Sequence, residues 1–140
     1  MEISKTQQLI EEARSWKDTP WQHNQACKGY GVDCIRFTMS VYAKFGVNVG
    51  QLGNYSRKPR GNQLVDYLET LPSTTLKDVN SIKPGDLLVF RVARVPHHVG
   101  IATTKKTFIH ADSGSNKVLE QELGRWEKRI SAVFAVELGL

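Results

Sequence analysis

The chain has 140 residues, 40% of them hydrophobic and 24% charged, which is apolar enough to close one core and too short to divide into two. That balance excludes a disordered chain, and two cysteines, Cys27 and Cys34, exclude a disulfide framework. The formal charge of +5 admits a polyanionic partner, but no basic run or aromatic-interleaved basic stretch accompanies it, so nucleic acid is not the expected ligand.

The N-terminus, Met1-Glu2-Ile3-Ser4-Lys5, passes straight into an amphipathic pattern without an apolar h-region or a small-residue cleavage site. No stretch reaches the ~20 apolar residues that cross a bilayer. The expectation is a chain made in the cytoplasm, with no membrane segment, that reaches its place of action by other machinery.

Ser4 and Gln7 form a capping box, and Leu9, Ile10, Ala13 and Trp16 recur at helical spacing, so the pattern predicts a first helix over Lys5 to Lys17 that Pro20 stops. From Trp21 to Val32 the chain is polar, carries Gly29 and Gly31, and reads as a surface loop. Asp33 then caps a second helix whose Cys34, Phe37, Thr38, Val41 and Phe45 form one stripe before Gly46 ends it. A polar connection containing Arg57, Lys58 and Arg60, to which no role is assigned, leads to a shorter helix over Asn62 to Leu68.

The second half reads as strands. Pro84-Gly85 marks a turn before the apolar run Leu87-Leu88-Val89-Phe90. Further strands are predicted over His98 to Thr103, Thr107 to Ala111, Lys117 to Gln121 and Ile130 to Val136, with a helical turn near Trp126. Helices first and a meandering sheet second describe a single α+β domain over residues 1–140: N-terminal helices packed on a mostly antiparallel sheet of about five strands.

Cys34 falls in the first turn of its helix, where the macrodipole favours thiolate over thiol. An imidazole nearby would complete the activation of a nucleophile. His98 and His110 flank the turn around Thr104-Lys105-Lys106, so a hairpin sets them on one face of neighbouring strands, opposed or diagonal, where one ring can orient the other. Two rival readings stand beside this one. A buried cysteine and strand histidines can simply be core groups, and Cys34, His97, His98 and His110 can be considered as zinc ligands, although their spacing is unlike that of a zinc finger. Alternation turns His97 away from its neighbour, toward solvent.

Asp33-Cys34-Ile35 opening a helix, then Lys83-Pro84-Gly85-Asp86-Leu87-Leu88-Val89-Phe90, His98-Val99-Gly100-Ile101 and Phe108-Ile109-His110-Ala111 resemble, in order and spacing, the NlpC family of cell-wall cysteine peptidases. The resemblance runs from Thr19 to about Val136. It implies a papain-like fold and a catalytic trio of Cys34 as nucleophile, His98 as base and His110 as its orienting partner, with neither metal nor organic cofactor. It implies peptidoglycan stem peptides as substrate, cut between γ-D-glutamate and the diamino acid. Asp33 would then pair with the amine of the preceding L-alanine, a role that can coexist with the helix cap. The rivals within the polymer are an amidase or a cross-bridge peptidase with the same trio, and outside catalysis an inactive tail-assembly or binding protein.

This chain departs from the family pattern in places. Ile35-Arg36 stands where Ser-Gly is usual. Trp21-Gln22-His23-Asn24-Gln25 replaces a Tyr-x-Trp-Gly-Gly stretch, so Trp21 takes the place of the tyrosine lining the oxyanion site. Tyr30 is an alternative for that position, and His23 is a candidate substrate contact or a loop cap. The run Thr19-Pro20-Trp21-Gln22-His23 followed by Gly29-Tyr30-Gly31-Val32-Asp33-Cys34 is most similar to the variant in phage tails and gene-transfer particles, which implies tail proteins as partners and local wall opening as the task.

Overall fold

A computed structural model describes residues 3–48, 63–92 and 95–139; the connection bearing Arg57, Lys58 and Arg60 lies outside them. Helix α1, Lys5–Arg14, opens at Ser4, whose side chain accepts from the Gln7 N–H at 3.1 Å. It ends a turn earlier than its periodicity predicts. Trp16 and Lys17 donate to the carbonyls three residues back, and Asp18 turns left-handed at φ 68°, so the chain tightens and leaves the helix axis.

The segment predicted as a plain loop contains a small hairpin instead. Strands β1, Ala26–Cys27, and β2, Gly31–Val32, pair antiparallel across a turn in which Gly29 has φ 85°. Val32 is fully buried, which anchors the start of α2, Cys34–Ala43. The stripe foreseen on α2 packs inward through Phe37, Thr38 and Val41, and Gly46 follows it at φ 77°. Helix α3 spans Gln63–Glu69.

Strands β3 (Thr74–Lys77), β4 (Leu87–Val92), β5 (Val95–Ala102), β6 (Thr107–Asp112), β7 (Lys117–Glu122) and β8 (Ile130–Val136) form one antiparallel sheet in the order β3-β8-β4-β5-β6-β7. The fold is α+β, as predicted. The sheet has one strand more than expected, because β3 is too short and too polar to declare itself. It is not a pure meander either, since β8 returns to lie between β3 and β4.

Two apolar layers cover the sheet. Leu87, Val89, Val99, Ile101, Ile109 and Phe134 face the layer that holds α1, α2 and α3, while Leu88, Phe90, Ala102, Phe108 and Val133 pack on the other side with Leu123. Burial on both faces explains why Leu87–Phe90 is an unbroken apolar run rather than an alternating one. A bidentate Arg14–Glu120 pair, both bonds 2.9 Å, ties α1 to β7, and the guanidinium holds the Glu120 carboxyl down to about 2.

Candidate active site

Asp33 places Cys34. Its Oδ1 accepts from the Arg36 N–H at 2.8 Å and so caps α2, while Oδ2 accepts from the Asn24 N–H at 2.8 Å and from Arg36 Nη1 at 2.9 Å. The carboxylate thus binds the loop, the cap and a guanidinium at once. The role of Arg36, which sequence left open, includes neutralising Asp33, and any substrate amine at that carboxylate has to compete with it.

Cys34 is half-buried and Cys27 exposed, and neither forms a disulfide. Burial is the largest influence on the thiol and pushes it up to about 12; the Asp33 charge adds to this, and the backbone N–H groups of Val99, Ile35 and Cys34 itself pull the other way. The helix N-terminus therefore tempers the thiol without ionising it at rest, less than the macrodipole argument anticipated.

The histidines sit on one face of the sheet. The register pairing Ile101 with Ile109 and Ala102 with Phe108 makes His98 and His110 diagonal neighbours rather than an opposed pair, and His98 Nε2 lies 2.7 Å from His110 Nδ1. Both rings are buried, and burial holds both below the ordinary imidazole range. His110 Nε2 in turn lies 2.8 Å from Gln121 Oε1 on β7. Gly100 makes room for this contact: a Cβ there would meet His110 Cβ at 3.2 Å and Phe108 Cδ2 at 3.0 Å.

A pocket of about 500 Å³ joins these elements; Cys34, His98, Asp33, Arg36, Trp21 and His23 line it. Trp21 and His23 stack with ring centroids 6.5 Å apart. Tyr30 does not join them. It is 81% exposed at the tip of the β1–β2 hairpin and lines no part of this pocket, because the two-residue strands hold its turn outward.

The sequence reading missed several wall residues, Trp126 and His97 among them. Trp126, in the 3-10 helix Gly124–Arg129, stacks on the His98 ring at 5.1 Å and 28° and meets His110 edge-on at 5.2 Å. Its only signal was an aromatic in a predicted turn. His97, expected to face solvent, instead lines the pocket beside His98, with its Nδ1 buried and unpartnered. The cause is a bulge: β4 and β5 pair Phe90 with His98 but Arg91 with Pro96, and the unpaired residue breaks the alternation. Among the described residues no group of three or more His, Cys, Asp or Glu is arranged to hold a metal ion.

A thiol at a helix N-terminus thus shares a pocket with a buried imidazole that a second imidazole contacts. The sequence profile of the NlpC/P60 family matches residues 16–134, and the chain belongs to that family. No curated protein matches it. Among solved structures, the NlpC/p60 domain of the peptidoglycan hydrolase SagA superposes with TM-score 0.71 at 22% identity, covering 95% of this chain and all of that one. An NLP/P60 family protein similar to lipoprotein from Staphylococcus aureus (TM-score 0.69, 20% identity) and NlpC1 from Trichomonas vaginalis (0.69, 14%) share the fold over 98% and 96% of this chain. The chain spans only 43% and 46% of those two.

Proposed function

We propose that the chain is a cysteine peptidase that hydrolyses peptidoglycan stem peptides between γ-D-glutamate and the diamino acid. The observation that carries this reading is the pocket shared by Cys34 and His98, with His98 joined to His110 at 2.7 Å. Family membership narrows the class, and the substrate comes from the family likeness.

With burial raising the thiol and lowering the imidazole, the resting pair is neutral. As Sγ attacks the γ-carbonyl its proton passes to His98, and the Cys34 N–H at the helix start faces the developing oxyanion. The imidazolium then protonates the leaving amine and the C–N bond breaks. Water, deprotonated by His98, opens the thioester to the free acid and restores the thiol.

The resemblance of Thr19–His23 and Gly29–Cys34 to tail-borne relatives supports local wall opening by a phage-like tail as the setting, with delivery to the wall from the cytoplasm. A second reading, an inactive tail or binding protein, draws support from the raised thiol and from Asp33 being engaged by Arg36.

One pair of measurements separates them. Digestion of purified wall followed by mass analysis of the fragments is expected to give new γ-D-glutamyl termini, all lost in Cys34→Ala. Free L-alanyl or cross-bridge termini would indicate an amidase or cross-bridge peptidase. Iodoacetamide labelling of Cys34 that is slowed in His98→Ala supports catalysis; labelling indifferent to His98, together with intact wall, supports the inactive scaffold.

A further inference from the structure

Gln121 sits outside the pocket wall, yet it ends a line of three side chains that begins in it. His98 Nε2 lies 2.7 Å from His110 Nδ1, and His110 Nε2 lies 2.8 Å from Gln121 Oε1. A carboxamide oxygen only accepts hydrogen bonds. The proton on the second contact therefore belongs to His110 Nε2.

A neutral imidazole carries one N–H, and burial holds His110 neutral at pH 7. Its Nδ1 is thereby left as an acceptor, so the proton in the first contact belongs to His98 Nε2. By the same count, the lone pair of His98 resides on Nδ1. That is the ring nitrogen not engaged by His110 and the one able to take a proton from a thiol in the pocket.

We propose that Gln121 is a positioning residue that sets the tautomer of both histidines, making His98 a base through Nδ1. This rests on the assignment of His98 as the base, but the tautomer can be measured apart from it. The role comes from register. β6 and β7 pair Phe108 with Gln121 and His110 with Leu119, which places Gln121 diagonal to His110 on the same face.

The opposite orientation of the carboxamide makes a sharp counter-case. An NH2 directed at His110 Nε2 would put the proton on His110 Nδ1, and then on His98 Nδ1, and the base would be blocked. The geometry distinguishes the two only through the oxygen at 2.8 Å, so the experiment reads the protons directly.

The test is nitrogen-15 NMR of the imidazoles in the full chain near pH 7.5. The expected result is a protonated Nε2 and an unprotonated Nδ1 on both His98 and His110; a protonated Nδ1 on either ring overturns the proposal. Gln121→Leu should mix the tautomers and lower kcat about tenfold with KM little changed, and Gln121→Glu, which keeps an acceptor at the same reach, should restore the Nε2–H form. Unmixed tautomers in folded Gln121→Leu overturn it as well. A chain with the expected tautomers but no hydrolysis keeps the Gln121 relay and sinks the peptidase reading alone.

Discussion

The two sides of the pocket are built differently. On one side His98 lines the pocket, and behind it His110 and Gln121 stand on neighbouring strands; the three meet because ladder register repeats every two residues. On the other, His97, Trp126 and the Trp21–His23 stack come from a bulge, a 3-10 helix and a loop. Regular structure positions the groups proposed for chemistry, and irregular structure builds the rest of the pocket wall. A repeat can hold two rings at hydrogen-bond distance with little adjustment; a wall shaped to one substrate needs side chains where a repeat does not put them.

The comparison breaks most sharply at His110. In His110→Ala the His98 N–H loses its acceptor inside a buried site, and hydrolysis should fall about 100-fold in kcat/KM, roughly 2.7 kcal/mol of transition-state stabilisation. A loss below threefold would show that the strand side does not orient the base. Trp126→Ala tests the other wall. It removes the ring stacked on His98 at 5.1 Å and should cost about tenfold in activity, with Trp126→Phe recovering most of it.

Gly100→Ala sharpens the strand side. The added methyl meets Phe108, His110 and the Ile109 carbonyl within 3.0 to 3.2 Å, so urea unfolding should show a loss of about 1–3 kcal/mol, and tolerance of the methyl would mean the histidine pair has slack. The gentlest prediction is the shape of stability against pH. His98 and His110 are held below the ordinary imidazole value of 6.5, so the unfolded chain takes up protons the folded one resists, and stability falls as pH drops through 6.5. Cys34 is held at about 12 against 9.0, so the unfolded chain ionises first and stability falls as pH rises above 9.0. Denaturant midpoints should be flattest between those values, and Cys34→Ala should remove this contribution to the alkaline decline while leaving the acid one.

Much of this architecture was legible beforehand. The stripe of α2, the Asp33 cap and the strands β4 to β8 follow from periods of 3.6 and 2.0 and from turn residues. The even spacing of His98 and His110 carried through to a shared face. The β1–β2 hairpin, β3 and the early end of α1 were not legible, since strands of two to four residues carry too little pattern and the last turn of a helix is decided by its neighbours.

Local sequence determined which groups are present and, along the regular stretches, which face of an element they occupy, because backbone geometry alone sets those periods. Tertiary structure decided the rest: that a bulge swings His97 into the pocket and that Trp126 lies on His98. Those outcomes depend on contacts between segments distant in sequence, where packing and charge pairing outweigh local preference.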